Sequence, residues 1–129
     1  MPPPRNTFRK SERLCGRLRL KEVATTGRAV NEPPFRLVGK MMQLPTDAPA
    51  QVAFAVPSRS MRRAVQRNRM KRLMREAYRT GKHDLHERLR AEGRQCAWLF
   101  IFQGREPVSQ EETRQRITRA LSRWMEQHG

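Results

Sequence analysis

A chain of 129 residues, 36% of them hydrophobic, has material for one domain with a small core under a large polar surface. Its formal net charge of +16 favours a polyanion as partner, because each phosphate neutralised by Lys or Arg releases condensed counterions. A membrane span is excluded for the longest apolar run, Cys96 to Phe102, which is far short of the about 20 residues a spanning helix needs.

Residues 1–10, MPPPRNTFRK, read as a disordered basic arm. Three prolines impose extended geometry and no apolar periodicity follows. The charge there precedes no apolar run, so it does not make a signal peptide. A single domain is expected over residues 11–126, with 127–129 as a tail. Between Ser11 and Thr26 the RLRLK stretch alternates like a strand. Leu20, Val23 and Ala24, however, stand at i, i+3, i+4, and Gly27 is placed to stop a helix. We assign a short helix.

Asn31–Glu32–Pro33–Pro34 is a turn, so a strand at Arg28–Asn31 must be short. In FRLVGKMM, Phe35, Leu37 and Met41 share one face, while Arg36, Val38 and Lys40 share the other. A loop, PTDAPA, leads to QVAFAV, where Val52, Phe54 and Val56 face one way and the small Ala53 and Ala55 the other. These two strands are expected to pair as an antiparallel hairpin with a long loop.

Residues 59–82 hold ten Lys/Arg and one acid, a net +9, whereas residues 83–129 net only +1. Within this segment Met70, Leu73, Met74, Ala77 and Tyr78 recur with helical period. Arg67, Lys71 and Arg75 form the row beside that stripe, and Asn68, Arg72 and Arg79 the next. Solvated helix faces usually mix signs, since like charges at i, i+4 repel. This face has one acid, Glu76. Arginine outnumbers lysine 23 to 5, a bias that suits phosphate and RNA recognition and that a GC-rich genome would also produce.

After Gly81, KHDLHERLRAEG reads as a helix ending near Gly93, and CAWLFIF as a strand buried on both faces. Ser109 and Glu112 form a capping box at the start of the last helix. Ile117, Ala120, Leu121 and Trp124 supply its core stripe, with Arg114, Arg116, Arg119 and Arg123 on the remainder.

No nucleophile–base pair, phosphate loop or paired-carboxylate pattern is present. His83 and His86 are spaced as HxxH, but the further ligands of a metal site are missing, and both read as surface histidines. Cys15 and Cys96 lie 81 positions apart in no metal-type spacing, which implies reduced thiols and a cytoplasmic protein. From its own residues the chain is a binder without a catalytic, metal or cofactor site. A ribosomal or chaperone-like RNA binder fits this description. A helix-turn-helix DNA binder fits less well, because Val52–Pro57 reads as strand where the partner helix would stand.

The run Ala64 to Arg75, AVQRNRMKRLMR, resembles the signature of the bacterial ribonuclease P protein component, an RNR element followed by K-R-x-x-R on one helix. The order of the surrounding elements, from about residue 11 to 125, is similar as well. The resemblance implies an α+β two-layer sandwich in α-β-β-β-α-β-α order, with helices on one face of a mixed four-stranded sheet. It implies an endonuclease subunit in tRNA processing, a hydrolase whose catalytic centre and Mg²⁺ reside in an RNA subunit. The implied partners are that catalytic RNA and the 5′ leader of precursor tRNA, with no DNA or membrane. Arg59, Arg62, Arg63, Arg67, Asn68, Arg69, Lys71, Arg72 and Arg75 would contact the RNA subunit. Leu20, Ala24, Arg36, Val38 and Lys40 would line the leader cleft. The family often places aromatics where Leu20 and Ala24 stand, so leader binding here should rest on charge more than on stacking.

Overall fold

The computed structural model describes residues 10–129; all of the expected N-terminal arm except Lys10 lies outside them. A 3-10 turn at Lys10–Glu12 leads into α1 (Arg17–Thr26), β1 (Arg28–Glu32), β2 (Phe35–Met41) and β3 (Ala50–Ala55). Two consecutive helices follow, α2 (Ala64–Gly81) and α3 (His83–Ala91), then β4 (Cys96–Phe102) and α4 (Gln110–His128). The α+β class and the mixed four-stranded sheet are as expected. α4 takes in residues 127 and 128 of the expected tail.

The sheet order is β1-β2-β4-β3. β1 and β2 form an antiparallel hairpin; Asn31 and Glu32, expected in the turn, pair with Arg36 and Phe35, which leaves Pro33–Pro34 as the turn. The hairpin expected between β2 and β3 does not form, because β4 lies between them, antiparallel to β2 and parallel to β3. The cause is composition. CAWLFIF has no polar face, so it takes the central position where both of its sides are covered. The β2–β3 connection is tied to the residue just before that strand. Gln95 accepts from Leu44 N at 2.9 Å and donates to the carbonyls of Thr46 and Ala48 at 2.8 and 2.9 Å.

The two faces of the sheet are covered unequally. Phe35, Leu37, Val52, Trp98, Phe100 and Phe102 meet Met70, Met74, Tyr78, Ile117, Leu121 and Trp124 in the main core, under α2 and α4. On the other face Val38, Ala97 and Leu99 meet Val23. α1 therefore lies opposite α2 and α4, not with them on one face as expected. Only Val23 of α1 is buried; Leu20 is half-buried and Ala24 exposed. A helix with so narrow an apolar stripe rests on a sheet without being enclosed by it.

Gly39 marks the closest approach within the main core. A Cβ there would stand 2.5 Å from Trp98 Cδ1 and 2.6 Å from Trp124 Cε2. Gly93, at φ +65°, ends α3 in the left-handed region that glycine adopts readily, and Arg94 N donates to Leu89 O at 2.9 Å across that turn.

Several polar side chains are buried in this frame, among them a cluster at the α2–α3 junction. Lys82, between α2 and α3, pairs with Glu12 of the 3-10 turn; their side chains are 4% and 9% exposed. His86 is also buried, contrary to the expected surface position. Its Nε2 lies 2.8 Å from the Tyr78 hydroxyl and its Nδ1 lies 3.9 Å from Glu12. Burial, reinforced by the Lys82 charge and only partly opposed by Glu12, pushes its pKa down to about 4.

Two outcomes follow for stability. Gly39→Ala overfills the tryptophan contact and should cost about 1–3 kcal/mol, read from the urea midpoint. The depressed His86 pKa means that the unfolded chain binds more protons between pH ~6.5 and ~4. Stability should thus fall by up to about 3 kcal/mol as pH drops through that window, and His86→Gln should flatten this limb of the pH–stability curve.

Candidate nucleic-acid interface

α2 is held by one side. Met70, Met74, Ala77 and Tyr78 are buried and Leu73 half-buried, so the stripe read from the sequence is the side facing the sheet. Asn68, Arg69, Arg72 and Arg75 are exposed on the outer side with Lys71 half-exposed, and Arg59, Arg62 and Arg63 are exposed on the approach to the helix. Among the described residues none of these seven arginines and lysines on α2 and its approach pairs with a carboxylate. The single acid of the segment, Glu76, is committed to Arg79. That hydrogen bond outweighs partial burial and holds the carboxyl below its ordinary range.

Arg67 differs from its neighbours. Its guanidinium donates to the carbonyls of Met61 and Arg62 at 2.9 and 2.7 Å. Arg63 occupies the N-cap without a side-chain cap, and Met61 is buried. Arg67 therefore braces the segment that presents Arg62 and Arg63, and serves positioning before contact.

The sheet face beneath α1 holds the other expected group. Lys40 Nζ reaches Glu22 at 2.9 Å and Thr26 Oγ1 at 3.0 Å, so it is tied to α1. Arg36 donates to Asn31 Oδ1 at 3.3 Å. Val38 is 4% exposed, packed under Val23, and offers no platform to a base. The open floor lies one register further along, where Ala55 pairs with Ile101 and Ile101 with Arg36. Ala53, Ala55, Ile101 and Leu20 are half-buried there. The small Ala53 and Ala55 were the sequence signal for this shallow surface.

A third feature was not anticipated. Glu32, at the end of β1, has a 7% exposed side chain and receives three arginines of α4. Arg123 Nη1 lies 2.8 Å and Arg116 Nη1 3.1 Å from its oxygens, and Arg119 Nε lies 3.7 Å away. Burial works to raise this carboxyl. Hydrogen bonds from Arg123 and Arg116, with the Arg119 charge, prevail and hold it below the usual carboxylate range. Spacing i, i+3, i+7 on α4 was visible, but its target, a lone acid 84 or more residues earlier, was not.

Comparison with known proteins gives this geometry a family. The family model described as Ribonuclease P matches residues 8–129. The chain belongs to the ribonuclease P protein family. It is 40% identical over 85 residues to the ribonuclease P protein component of Porphyromonas gingivalis strain W83, covering 66% of this chain and 62% of that protein. The corresponding protein of Chlorobium phaeobacteroides is 35% identical over 127 residues, covering 90% of this chain and 86% of its own. Against the P. gingivalis relative, the aligned region spans less than two thirds of the relative's length. The fold matches the structure of the Staphylococcus aureus RNase P protein with a TM-score of 0.64 and 14% identity, over 88% of this chain and 94% of that one.

The bracing Arg67 and the exposed arginines of α2 should separate by stability. Arg67→Ala should lose about 1–2 kcal/mol with its two hydrogen bonds. Arg72→Ala should stay within about 0.5 kcal/mol of wild type. Equal losses in thermal unfolding would contradict the division.

Proposed function

We propose that the chain is the protein subunit of ribonuclease P, binding the catalytic RNA and the 5′ leader of precursor tRNA while the RNA subunit performs the cleavage. The observation that carries this reading is the outer side of α2, where Asn68 and Arg69 of the RNR element are exposed and Arg69, Lys71, Arg72 and Arg75 have no carboxylate partner among the described residues. Exposed guanidiniums in a fixed row suit backbone phosphates, which they can grip bidentately. The floor of Ala53, Ala55 and Ile101 beside Arg36 suits a single strand, giving a flat apolar rest next to a cation.

Several acids of this chain serve as ion-pair partners. Glu12, Glu22, Glu32, Glu76 and Glu111 are each engaged by a Lys or Arg, and no described group of three or more His, Cys, Asp or Glu could hold a metal ion. Assigning Mg²⁺ chemistry to the RNA subunit rests on the family resemblance. The free thiols of Cys15 and Cys96 fit a reducing, cytoplasmic setting, and no helix among the described residues is long and apolar enough to cross a membrane.

Reconstitution tests the proposal. The purified protein alone should leave precursor tRNA uncut, and with a ribonuclease P RNA it should accelerate 5′ maturation. Arg72→Ala/Arg75→Ala should weaken assembly at least about ten-fold and lower the slope of log K against log salt by about two. Cleavage by the protein alone, or an unaltered slope in that variant, would refute the reading.

A further inference from the structure

The arginines that α4 directs at Glu32 exceed what one carboxylate needs. Two guanidiniums hydrogen-bond it and a third stands within 3.7 Å. Glu112, 3.9 Å from Arg116 Nε, offers the group a second, weaker partner. Like-charge neighbours at i+3 and i+4 repel, and even with Glu112 counted the group keeps a positive surplus. A helix-to-strand staple would be complete with Arg123 alone. It reaches Glu32 at 2.8 Å and also donates to Asn31 O at 2.7 Å.

The surplus is presented outward. The side chains of Arg116, Arg119 and Arg123 are 37%, 67% and 39% exposed. Each guanidinium carries five N–H donors, and the carboxylate uses only a few of them. The buried Glu32 also fixes the heads of Arg116 and Arg123 in place and draws Arg119 towards them, so an incoming anion meets donors of which two already have reduced rotamer freedom.

The two groups stand on neighbouring helices that diverge over the sheet. α4 packs against α2 and covers β1 and β2, whereas α2 reaches β3. β1 and β3 are the two edges of the sheet, roughly 14 Å apart at about 4.8 Å per strand. The group also continues around the β1 edge. Asn31 accepts from Arg123 through its carbonyl and from Arg36 through its side chain, and Arg36 borders the open floor on the opposite face.

We propose that Arg116, Arg119 and Arg123, preorganised by Glu32, form a second binding site for RNA backbone phosphates at the β1 edge, continuous through Asn31 and Arg36 with the sheet face under α1. This rests on the ribonuclease P reading for the identity of the polyanion. The phosphates come either from the catalytic RNA or from the leader as it passes over the β1 edge.

The test uses full-length wild type, Arg116→Ala/Arg119→Ala and Arg119→Gln, leaving Arg123 to satisfy Glu32. Affinity for the catalytic RNA is measured across salt, and then holoenzyme affinity for precursor tRNAs with short and long leaders. The double variant should lose about ten-fold in one of these affinities and about one to two units of salt slope, with Arg119→Gln showing about half the slope change. Loss in assembly identifies the catalytic RNA as the source, and loss confined to long leaders identifies the leader. Wild-type affinities and slopes on both RNAs would overturn the site. Arg119→Gln decides alone if the double variant fails to fold, since Arg119 is mostly exposed. Failure of the wild type itself to accelerate maturation would be a different result, refuting the underlying function and not this site.

Discussion

The rest of the structure depends on α2 being anchored from one side while its other side carries uncompensated charge. Burial of Met70, Met74, Ala77 and Tyr78 against the sheet must outweigh the repulsion among Arg69, Lys71, Arg72 and Arg75. An Ile, Leu, Met or Phe side chain moved from water to a core gains roughly 1.5–3 kcal/mol, while each like-charge pair on a helix costs a few tenths. The core therefore wins comfortably. The helix can present a cationic row that would not hold together as an isolated peptide.

Three of the chain's carboxylates join elements distant in sequence. Glu12 ties the N-terminal turn to the α2–α3 junction through Lys82, Glu22 ties α1 to β2 through Lys40, and Glu32 ties α4 to β1. In each case an acid is placed where two segments distant in sequence must meet. The outer side of α2 receives none beyond Glu76. That distribution leaves the outer side of α2 without further carboxylate partners among the described residues while the joints each hold an ion pair, although both are built from the same arginine-rich composition.

Local signals in the sequence were sufficient for the helices and for the central strand. The apolar stripe of α2, the Ser109–Glu112 cap, seen as a 3.1 Å bond from Glu112 N, and the unbroken apolar run of β4 each act within a few residues. What could not be read depended on partners far along the chain. The β2–β3 hairpin failed because β4, more than forty residues later, competes for the same edge with a wholly apolar strand. Val38 looked available on a cationic strand face until α1 came to rest on it. His86 looked exposed in a polar segment, and its burial follows from Tyr78 and Glu12 both converging on it. The grouping of α4 arginines needed the β1 turn to be brought beside them.

The central claim is that the outer side of α2 is arranged for a polyanion at a cost to the free protein. Thermal melts of the free wild type and of Arg72→Gln/Arg75→Gln, taken from low to high salt, test it most directly. The account predicts that the variant is more stable than wild type at low salt, by roughly 0.5–1 kcal/mol, and that the gap closes as salt screens the repulsion. A variant less stable than wild type at low salt, or a gap indifferent to salt, would show that these arginines stabilise the free fold and would contradict the account.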